Sequence, residues 1–177
     1  SVNLNGSISK AAGADTTFEA RAASNIIMGS GASISSSGNK LHVTLNSDSD
    51  ASGAGNIQMF PGSSITTNGG NIVMGGGSDP LIFAAVGSGA GAGVQNGVYL
   101  EGATLISGAG SISVIGKGVA GAFGWGVLAF AGTSISASGG TINLDGTAGV
   151  GPSDNRGVYL QDAGTIIQST NGDISIT

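Results

Sequence analysis

The sequence is poor in the residue types that mark several common kinds of functional site. It contains no cysteine, which excludes disulfides, iron–sulfur clusters and thiolate metal sites. Charged residues make up only 8% of the chain and the net charge is −5, so the concentrated basic surface that nucleic-acid binding requires is missing. No apolar run approaches ~18 residues, so we expect no membrane insertion. Proline is scarce and glycine has no period of three, which excludes collagen.

Glycine and aliphatic residues dominate what remains. The 177 residues include 35 glycines, 40% are hydrophobic, and the mean hydropathy is +0.29. A disordered chain would instead be highly charged and poor in valine, isoleucine and leucine. The composition therefore predicts a folded chain, and its length suits one domain spanning residues 1–177.

Three apolar columns recur along the chain at intervals of 30 to 40 residues. The first begins at Ile26, Ile57, Val98, Val127 and Val158; the second is centred on Ile34, Ile65, Leu105, Ile135 and Ile166; the third begins at Val2, Leu41, Ile72, Ile112, Ile142 and Ile174. Runs such as "NIVM" and "TINL" alternate apolar with polar residues, which is typical of half-buried strands. Frequent glycine and serine disfavour helices. The pattern predicts an all-β parallel β-solenoid with three strands per coil of about 30 residues.

The links from the third column to the next first column vary most in length. The longest are residues 5–25 and 75–97, and both are rich in glycine and alanine. We expect all these insertions to emerge along one edge of the solenoid, where repeat proteins often carry function.

Blocks such as "GASISSSGNKLHVTL", "GSSITTNGGNIVM" and "GTSISASGGTINLDG" resemble filamentous-haemagglutinin-like large exoproteins, which use two-partner secretion. The resemblance implies a right-handed parallel β-helix that forms the shaft of an exported bacterial adhesin or filament. It implies an extracellular or cell-surface location and offers no catalytic residues to transfer. Our first hypothesis is therefore a non-enzymatic structural and adhesive module.

The expected partners follow from this hypothesis. They are a glycan or protein on a host or neighbouring cell, or a second copy of the chain that associates end to end. The sequence begins and ends inside the third column without a visible cap, whereas solenoids need capped ends to avoid edge pairing. We expect a segment of a longer repeat protein, or a unit that stacks.

An aromatic row is the candidate binding surface. In the predicted register, Tyr99 and Tyr159 point outward from the first sheet, and Trp125 lies nearby. Exposed aromatic faces stack well on sugars or partner proteins. The alternative is that the loops at 5–25 and 75–97 lie over the row and bury it.

Two other functions stay open. A polysaccharide-acting β-helix needs two carboxylates that converge on one face, and the outward positions predicted for the first and third sheets carry none. An ice-binding solenoid needs a regular hydroxyl face, and the second sheet presents mainly serine. The predicted outward pairs there are Ser33 and Ser35, Ser64 and Thr66, Thr104 and Ile106, Ser134 and Ser136, and Thr165 and Ile167.

A calcium site is a weaker candidate. "DSDASG" at 48–53 matches the first half of a calcium loop, with Asp48 and Asp50 as oxygen ligands, but the bidentate glutamate expected at the twelfth place is Met59. An ordinary solvated turn is favoured. We expect no catalytic residue and no cofactor.

Overall fold

The computed structural model describes residues 1–91 and 93–177, and within them every regular element is a strand. The strands are β1 (Val2–Leu4), β2 (Ser7–Lys10), β3 (Thr16–Arg21), β4 (Ile26–Met28), β5 (Ser33–Ser36), β6 (Leu41–Ser47), β7 (Ile57–Met59), β8 (Ser64–Thr66), β9 (Ile72–Gly76), β10 (Ala85–Val86), β11 (Val98–Glu101), β12 (Thr104–Gly108), β13 (Ile112–Lys117), β14 (Val127–Phe130), β15 (Ser134–Ala137), β16 (Ile142–Thr147), β17 (Val158–Leu160), β18 (Ile166–Ser169) and β19 (Ile174–Ile176).

Three parallel sheets run along the molecule. Sheet I contains β1, β4, β7, β11, β14 and β17, and sheet II contains β2, β5, β8, β12, β15 and β18. Sheet III contains β3, β6, β9, β13, β16 and β19, and the short β10 pairs with β13 at its side. The chain visits the sheets in the fixed order I, II, III and so winds through six coils. The predicted parallel β-solenoid with three strands per coil is confirmed.

The core is a set of hydrophobic columns, aliphatic except at Phe18, that run through all six coils. Sheet I stacks Val2, Ile26, Ile57, Val98, Val127 and Val158; sheet II stacks Ile8, Ile34, Ile65, Leu105, Ile135 and Ile167; sheet III stacks Phe18, Val43, Ile72, Ile112, Ile142 and Ile174. The column residues of the four central coils are fully buried. Each such side chain contributes roughly 1.5–3 kcal/mol when it leaves water.

The first coil differs from the prediction. Val2 and Leu4 belong to sheet I, where they pair with Ile26 and Met28, and not to the third column. Residues 5–25 are therefore not an inserted loop, because they contain β2 and β3 and complete a coil. The alternation in "SVNLN" fits a strand of any sheet, so the sequence pattern alone could not assign it.

Two registers also differ from the prediction. Ile135 pairs with Ile167, so Ile167 points inward and Ile166 is exposed. In sheet III, Val43 and not Leu41 pairs with Ile72. The first error arises from the adjacent isoleucines at 166 and 167, because the two-residue period can be placed in either phase there. The second is a shift of two residues along the strand, which leaves Leu41 and Val43 both inward and buried.

The corner between sheets II and III repeats the same turn in successive coils. A buried hydroxyl at the end of the sheet II strand donates to a carbonyl three residues later, from Ser36 to Asn39 at 2.6 Å and from Ser107 to Gly110 at 2.6 Å. The turn then passes through a glycine at 70, 110, 140 and 172. A Cβ atom at Gly110 would overlap the carbonyl oxygen of Gly70 in the coil below. Glycine is therefore required here by the close approach of two backbones.

The long connections leave from sheet III and return to sheet I, as predicted. They cover residues 22–25, 48–56, 77–97, 118–126 and 148–157. Because every such link joins the same two sheets, all of them emerge at one corner of the solenoid. This corner, together with the outer face of sheet I beside it, carries the candidate site.

Candidate functional site

The outer face of sheet I carries a row of large side chains. Ile27, Gln58, Tyr99, Leu128 and Tyr159 occupy the same outward position in five successive coils. Tyr99 and Tyr159 therefore lie where the sequence predicted them. Trp125 lies outside the strands, in the connection 118–126, two residues before β14 begins.

The row is covered in part and exposed in part. The sequence had left open whether it is an exposed binding surface or is buried by loops, and each alternative holds for some of its residues. Tyr99 keeps only 9% of its surface, and Gln58 and Leu128 are also buried. The cover comes from the connection 77–97, because a Cβ atom on Gly93 would lie 3.4 Å from the Tyr99 ring. The side-chain Nδ2 of Asn56 donates to the Gly93 carbonyl at 2.9 Å and holds this segment down. Residues 5–25, predicted as a second cover, form β2, β3 and the turns beside them in the first coil.

An open groove of about 390 Å³ remains between this cover and Trp125. We call it the aromatic groove; it is lined by Gly93, Gln95, Asn96, Tyr99, Phe123, Trp125, Leu128, Phe130 and Gln161. Its residues come from the connections 77–97 and 118–126 and from β11, β14 and the residue after β17. Neighbouring coils thus build one concavity from segments far apart in the sequence.

Aromatic rings pack against one another along the groove. The centroid of Tyr99 lies 5.3 Å from that of Phe130, and the centroid of Trp125 lies 5.3 Å from that of Tyr159. Phe123 lies 5.7 Å from Trp125 and is 45% exposed. Such tilted and edge-on pairs hold the rings in fixed orientations.

The backbone around Trp125 is held by neighbouring coils. Its N–H donates to the Oδ1 atom of Asn96 at 3.1 Å, and its carbonyl accepts from Gly97 at 3.2 Å. Phe123 adopts a φ of 62°, in the left-handed region that side chains other than glycine, asparagine and aspartate rarely occupy. This conformation places an exposed aromatic ring at the rim of the groove.

Three side-chain donors around the groove have no hydrogen-bond partner. They are Asn96 Nδ2, Trp125 Nε1 and Gln58 Nε2, and each is buried. Asn96 and Trp125 line the groove itself, and Gln58 lies beneath Gly93. The sequence analysis did not find Asn96 or Gln161, because single amides in a sequence rich in asparagine and serine give no signal until the coils are stacked.

Charge is confined to the rim of the groove. The Tyr99 hydroxyl donates to Glu101 Oε2 at 3.0 Å. Burial, and then the neighbouring Glu101 carboxylate, raise the pKa of Tyr99 to about 12. Arg156 is bound to Asp154 at 2.7 Å, and its guanidinium carbon lies 4.1 Å from the centre of the Tyr159 ring. Each of these charges therefore already has a partner.

The calcium candidates Asp48 and Asp50 belong to a turn. The Asp48 carboxylate accepts from the Ser52 hydroxyl at 2.9 Å and from the Gly53 N–H at 3.0 Å, and Asp50 accepts from the Ser52 N–H. Within residues 1–91 and 93–177, no three acidic, histidine or cysteine side chains cluster as metal ligands would. Asp48 also lines a second cavity of about 290 Å³, beside Lys117 and Phe83.

The structure corrects the predicted distribution of carboxylates. Glu101 on β11 lies on the outer face of sheet I, and Glu19 on β3 and Asp145 on β16 lie on the outer face of sheet III; the sequence analysis had left both faces without acids. Glu19 and Asp145 occupy the first and fifth coils, and four steps of ~4.8 Å separate them by at least ~19 Å. Paired glycosidase carboxylates lie within roughly 10 Å of each other. These two acids are therefore too far apart to act on one bond.

Hydroxyls do line the outer face of sheet II, although its last strand departs from the predicted pairs. Ile166 and Gln168 point outward in β18, in place of Thr165 and Ile167. Ser33 donates to Ser7 at 2.9 Å, and Gln168 donates to Ser136 at 3.3 Å, so several of these groups bind one another along the ladder. Ice binding stays a prediction.

Comparison of the chain with protein-family models, with curated proteins and with solved structures found no match. In the part of the chain that the structure describes, no helix is long and apolar enough to cross a membrane. The functional argument therefore depends on the geometry of the solenoid and its groove.

Proposed function

We propose that this chain is a non-enzymatic structural and adhesive β-solenoid module of an extracellular bacterial adhesin or filament. The observation that carries the proposal is the combination of a stacked hydrophobic core with one aromatic groove on its side. The stack supplies a rigid shaft, and the aromatic groove on its side supplies a place for a partner.

The way in which the fold is stabilised is compatible with an extracellular role. A chain held together by buried aliphatic columns and continuous backbone ladders needs neither disulfides nor metal to persist outside the cell. The resemblance of the repeated blocks to filamentous-haemagglutinin-like exoproteins, which the sequence analysis proposed, favours the same location.

The terminal coil supports end-to-end contact as part of this function. Leu160, Ile174 and Ile176 belong to the inward columns of sheets I and III, yet the last coil leaves them exposed. A further coil, from the same chain or from a second copy, would continue the columns and cover these side chains. Open strand edges at β17, β18 and β19 would extend their backbone ladders in the same contact.

Bead adhesion tests the proposal. Beads coated with the purified protein should adhere to bacterial or host cells, whereas beads coated with an unrelated β-protein of similar charge should not. Incubation with a polysaccharide panel should release no new reducing or unsaturated ends. Turnover that disappears in Asp79→Asn or Asp154→Asn variants would contradict the proposal and favour the polysaccharide-acting alternative.

Sedimentation velocity tests the self-association part. The protein should form larger species as its concentration rises, and Ile174→Lys combined with Ile176→Lys should abolish them, whereas Ser134→Lys on an outer face should not. Assembly that survives the end variant would show that the contact lies elsewhere. If the protein assembles as expected but the coated beads adhere to no cell, the chain would be a shaft without adhesive function.

A further inference from the structure

We propose that the aromatic groove is a binding site for a neutral carbohydrate, with a sugar ring packed against Trp125 and Phe123 and its hydroxyls bound by the amides beside them. This inference deepens the adhesive part of the proposed function and rests on it. The sequence predicted only an aromatic row that could bind a glycan or a protein; the groove, its amides and its lack of charge narrow this choice.

The size and lining of the groove fit a small saccharide. Its volume of about 390 Å³ lies within the range of ~300–1,000 Å³ that is typical of small-molecule sites. Phe123 and Trp125 form one wall, and Tyr99, Leu128 and Phe130 form the floor. Sugar rings carry C–H groups on one face and hydroxyls at the edge, so they pack on aromatic faces while their edges need polar partners.

The unpaired donors favour a polar ligand. Asn96 is only 1% exposed, and its Oδ1 atom is already taken by the Trp125 N–H. This bond fixes the orientation of the amide and leaves Nδ2 as the free donor. Trp125 Nε1 is a second buried donor without a partner. A buried donor that lacks an acceptor costs about 1–3 kcal/mol, and sugar hydroxyls would supply the missing acceptors.

The other amides extend the polar edge of the site. Gln95 and Gln161 line the groove at the cover and after β17, and side-chain amides both donate and accept. A hydroxyl group also donates and accepts, so a ligand rich in hydroxyls matches this set better than an apolar peptide side chain does. The arrangement of an aromatic wall beside several amides therefore favours a saccharide.

The charges favour a neutral sugar over an acidic one. None of the nine lining residues is charged. Arg156, which lies beyond Tyr159, is bound to Asp154. Glu101, at the rim of the groove, accepts from the Tyr99 hydroxyl and would repel an anion. A uronate or sialate would thus enter without a free cation to receive it.

The single tryptophan makes the test direct. Trp125 is the only tryptophan in the chain, so its fluorescence reports on the groove alone. The probes are neutral oligosaccharides (cellohexaose, maltohexaose, mannohexaose and chitohexaose) and an acidic one (hexagalacturonate). At least one neutral probe should shift or quench the emission in a saturable way, and hexagalacturonate should not.

Variants then assign the binding to the groove. Asn96→Asp keeps the acceptor for the Trp125 N–H but removes the free donor, and Phe123→Gly removes the rim ring while suiting the positive φ. Each should weaken binding about tenfold, measured by calorimetry on protein whose circular dichroism is unchanged. Phe83→Ala is the matched control, because Phe83 is similarly exposed but lies in the other cavity. It should leave the affinity unchanged.

Several outcomes would overturn the inference. They are the absence of any response to the neutral probes, stronger binding of hexagalacturonate, or binding that survives both groove variants. If an aromatic peptide library shifted or quenched the Trp125 emission and the sugars did not, the groove would bind a protein. If coated beads still adhere to cells in these cases, the carbohydrate site is refuted but the adhesive function is not. If sugars bind but the beads do not adhere, the adhesive function is refuted.

Discussion

Individual glycines control how closely successive coils can approach one another. At the corner between sheets II and III, the glycines at 70, 110, 140 and 172 lie directly on the carbonyl groups of the preceding coil. Other glycines of the chain face open space, as Gly6 does. The abundance of glycine in the composition therefore has different causes at different positions, and only the stacked ones should be sensitive to a methyl group.

Substitution of Gly110 by alanine tests this difference. The new Cβ atom would overlap the Gly70 carbonyl oxygen, so we expect the free energy of unfolding to fall by about 1–3 kcal/mol. Gly6→Ala is the control and should change it by less than ~0.5 kcal/mol or raise it slightly, because alanine restricts the unfolded chain. Urea denaturation measures both. Equal effects of the two substitutions would contradict the proposed contact.

Tyr99 links a single residue to the pH dependence of stability. Its ordinary pKa is 10.0, and burial together with Glu101 raises it to about 12 in the folded state. Below about pH 10 both states keep the proton, so this group adds no pH dependence. Between about pH 10 and pH 12 only the unfolded state releases it, and the free energy of unfolding should fall as the pH rises.

Denaturation of the Tyr99→Phe variant across this interval measures the effect. The variant should lose stability less steeply than the original chain, and Glu101→Gln should lie between the two, because burial, the larger cause, remains. Absorbance titration of the phenolates should show the late step disappear with Tyr99. A variant with the same pH dependence as the original chain would show that Tyr99 ionises equally in both states.

Strands are the scale at which the sequence was most informative. Short runs such as "SIS" and "TINL" alternate strictly, and each appears as a strand with its aliphatic residues inward. The prediction was wrong where the pattern was ambiguous, at Ile166 and Ile167. It also missed β3, "TTFEAR", whose inward Phe18 and Ala20 replace the usual aliphatic pair. Local alternation therefore predicts a strand, but only stacking decides its sheet and its register.

Strand β15 gives the matched test of this alternation. Ile135 is fully buried, whereas its neighbour Ser134 lies on the outer face. We expect Ile135→Ala to lower the free energy of unfolding by about 2–5 kcal/mol, and Ser134→Ala to change it by less than ~0.5 kcal/mol. Both values come from urea denaturation. If the serine substitution were the more damaging, the inward and outward faces would be reversed.

The candidate site belongs to the scale of the whole molecule, and this explains how much of it the sequence could predict. The aromatic residues were found because the predicted register places Tyr99 and Tyr159 outward on the first sheet, with Trp125 close to them in the sequence. The amides beside them were not, since Asn96 meets Trp125 only after a full coil has been wound. The cover over Tyr99 comes from the connection 77–97, whose glycine-rich sequence contains no pattern that would indicate where it folds.

The central claim is that six coils stack in register at the spacing of neighbouring strands, and distances between spin labels test it most directly. The chain has no cysteine, so cysteines placed at Ser9, Ser136 and Gln168 can be labelled in pairs without background. Ser9 is separated from Ser136 by four coils and from Gln168 by five along one outward row of sheet II. Double electron–electron resonance should give distances of ~19 Å and ~24 Å, which differ by one strand spacing of ~4.8 Å. Distances that do not increase with the number of coils, or a Ser9–Gln168 pair closer than Ser9–Ser136, would contradict the stack.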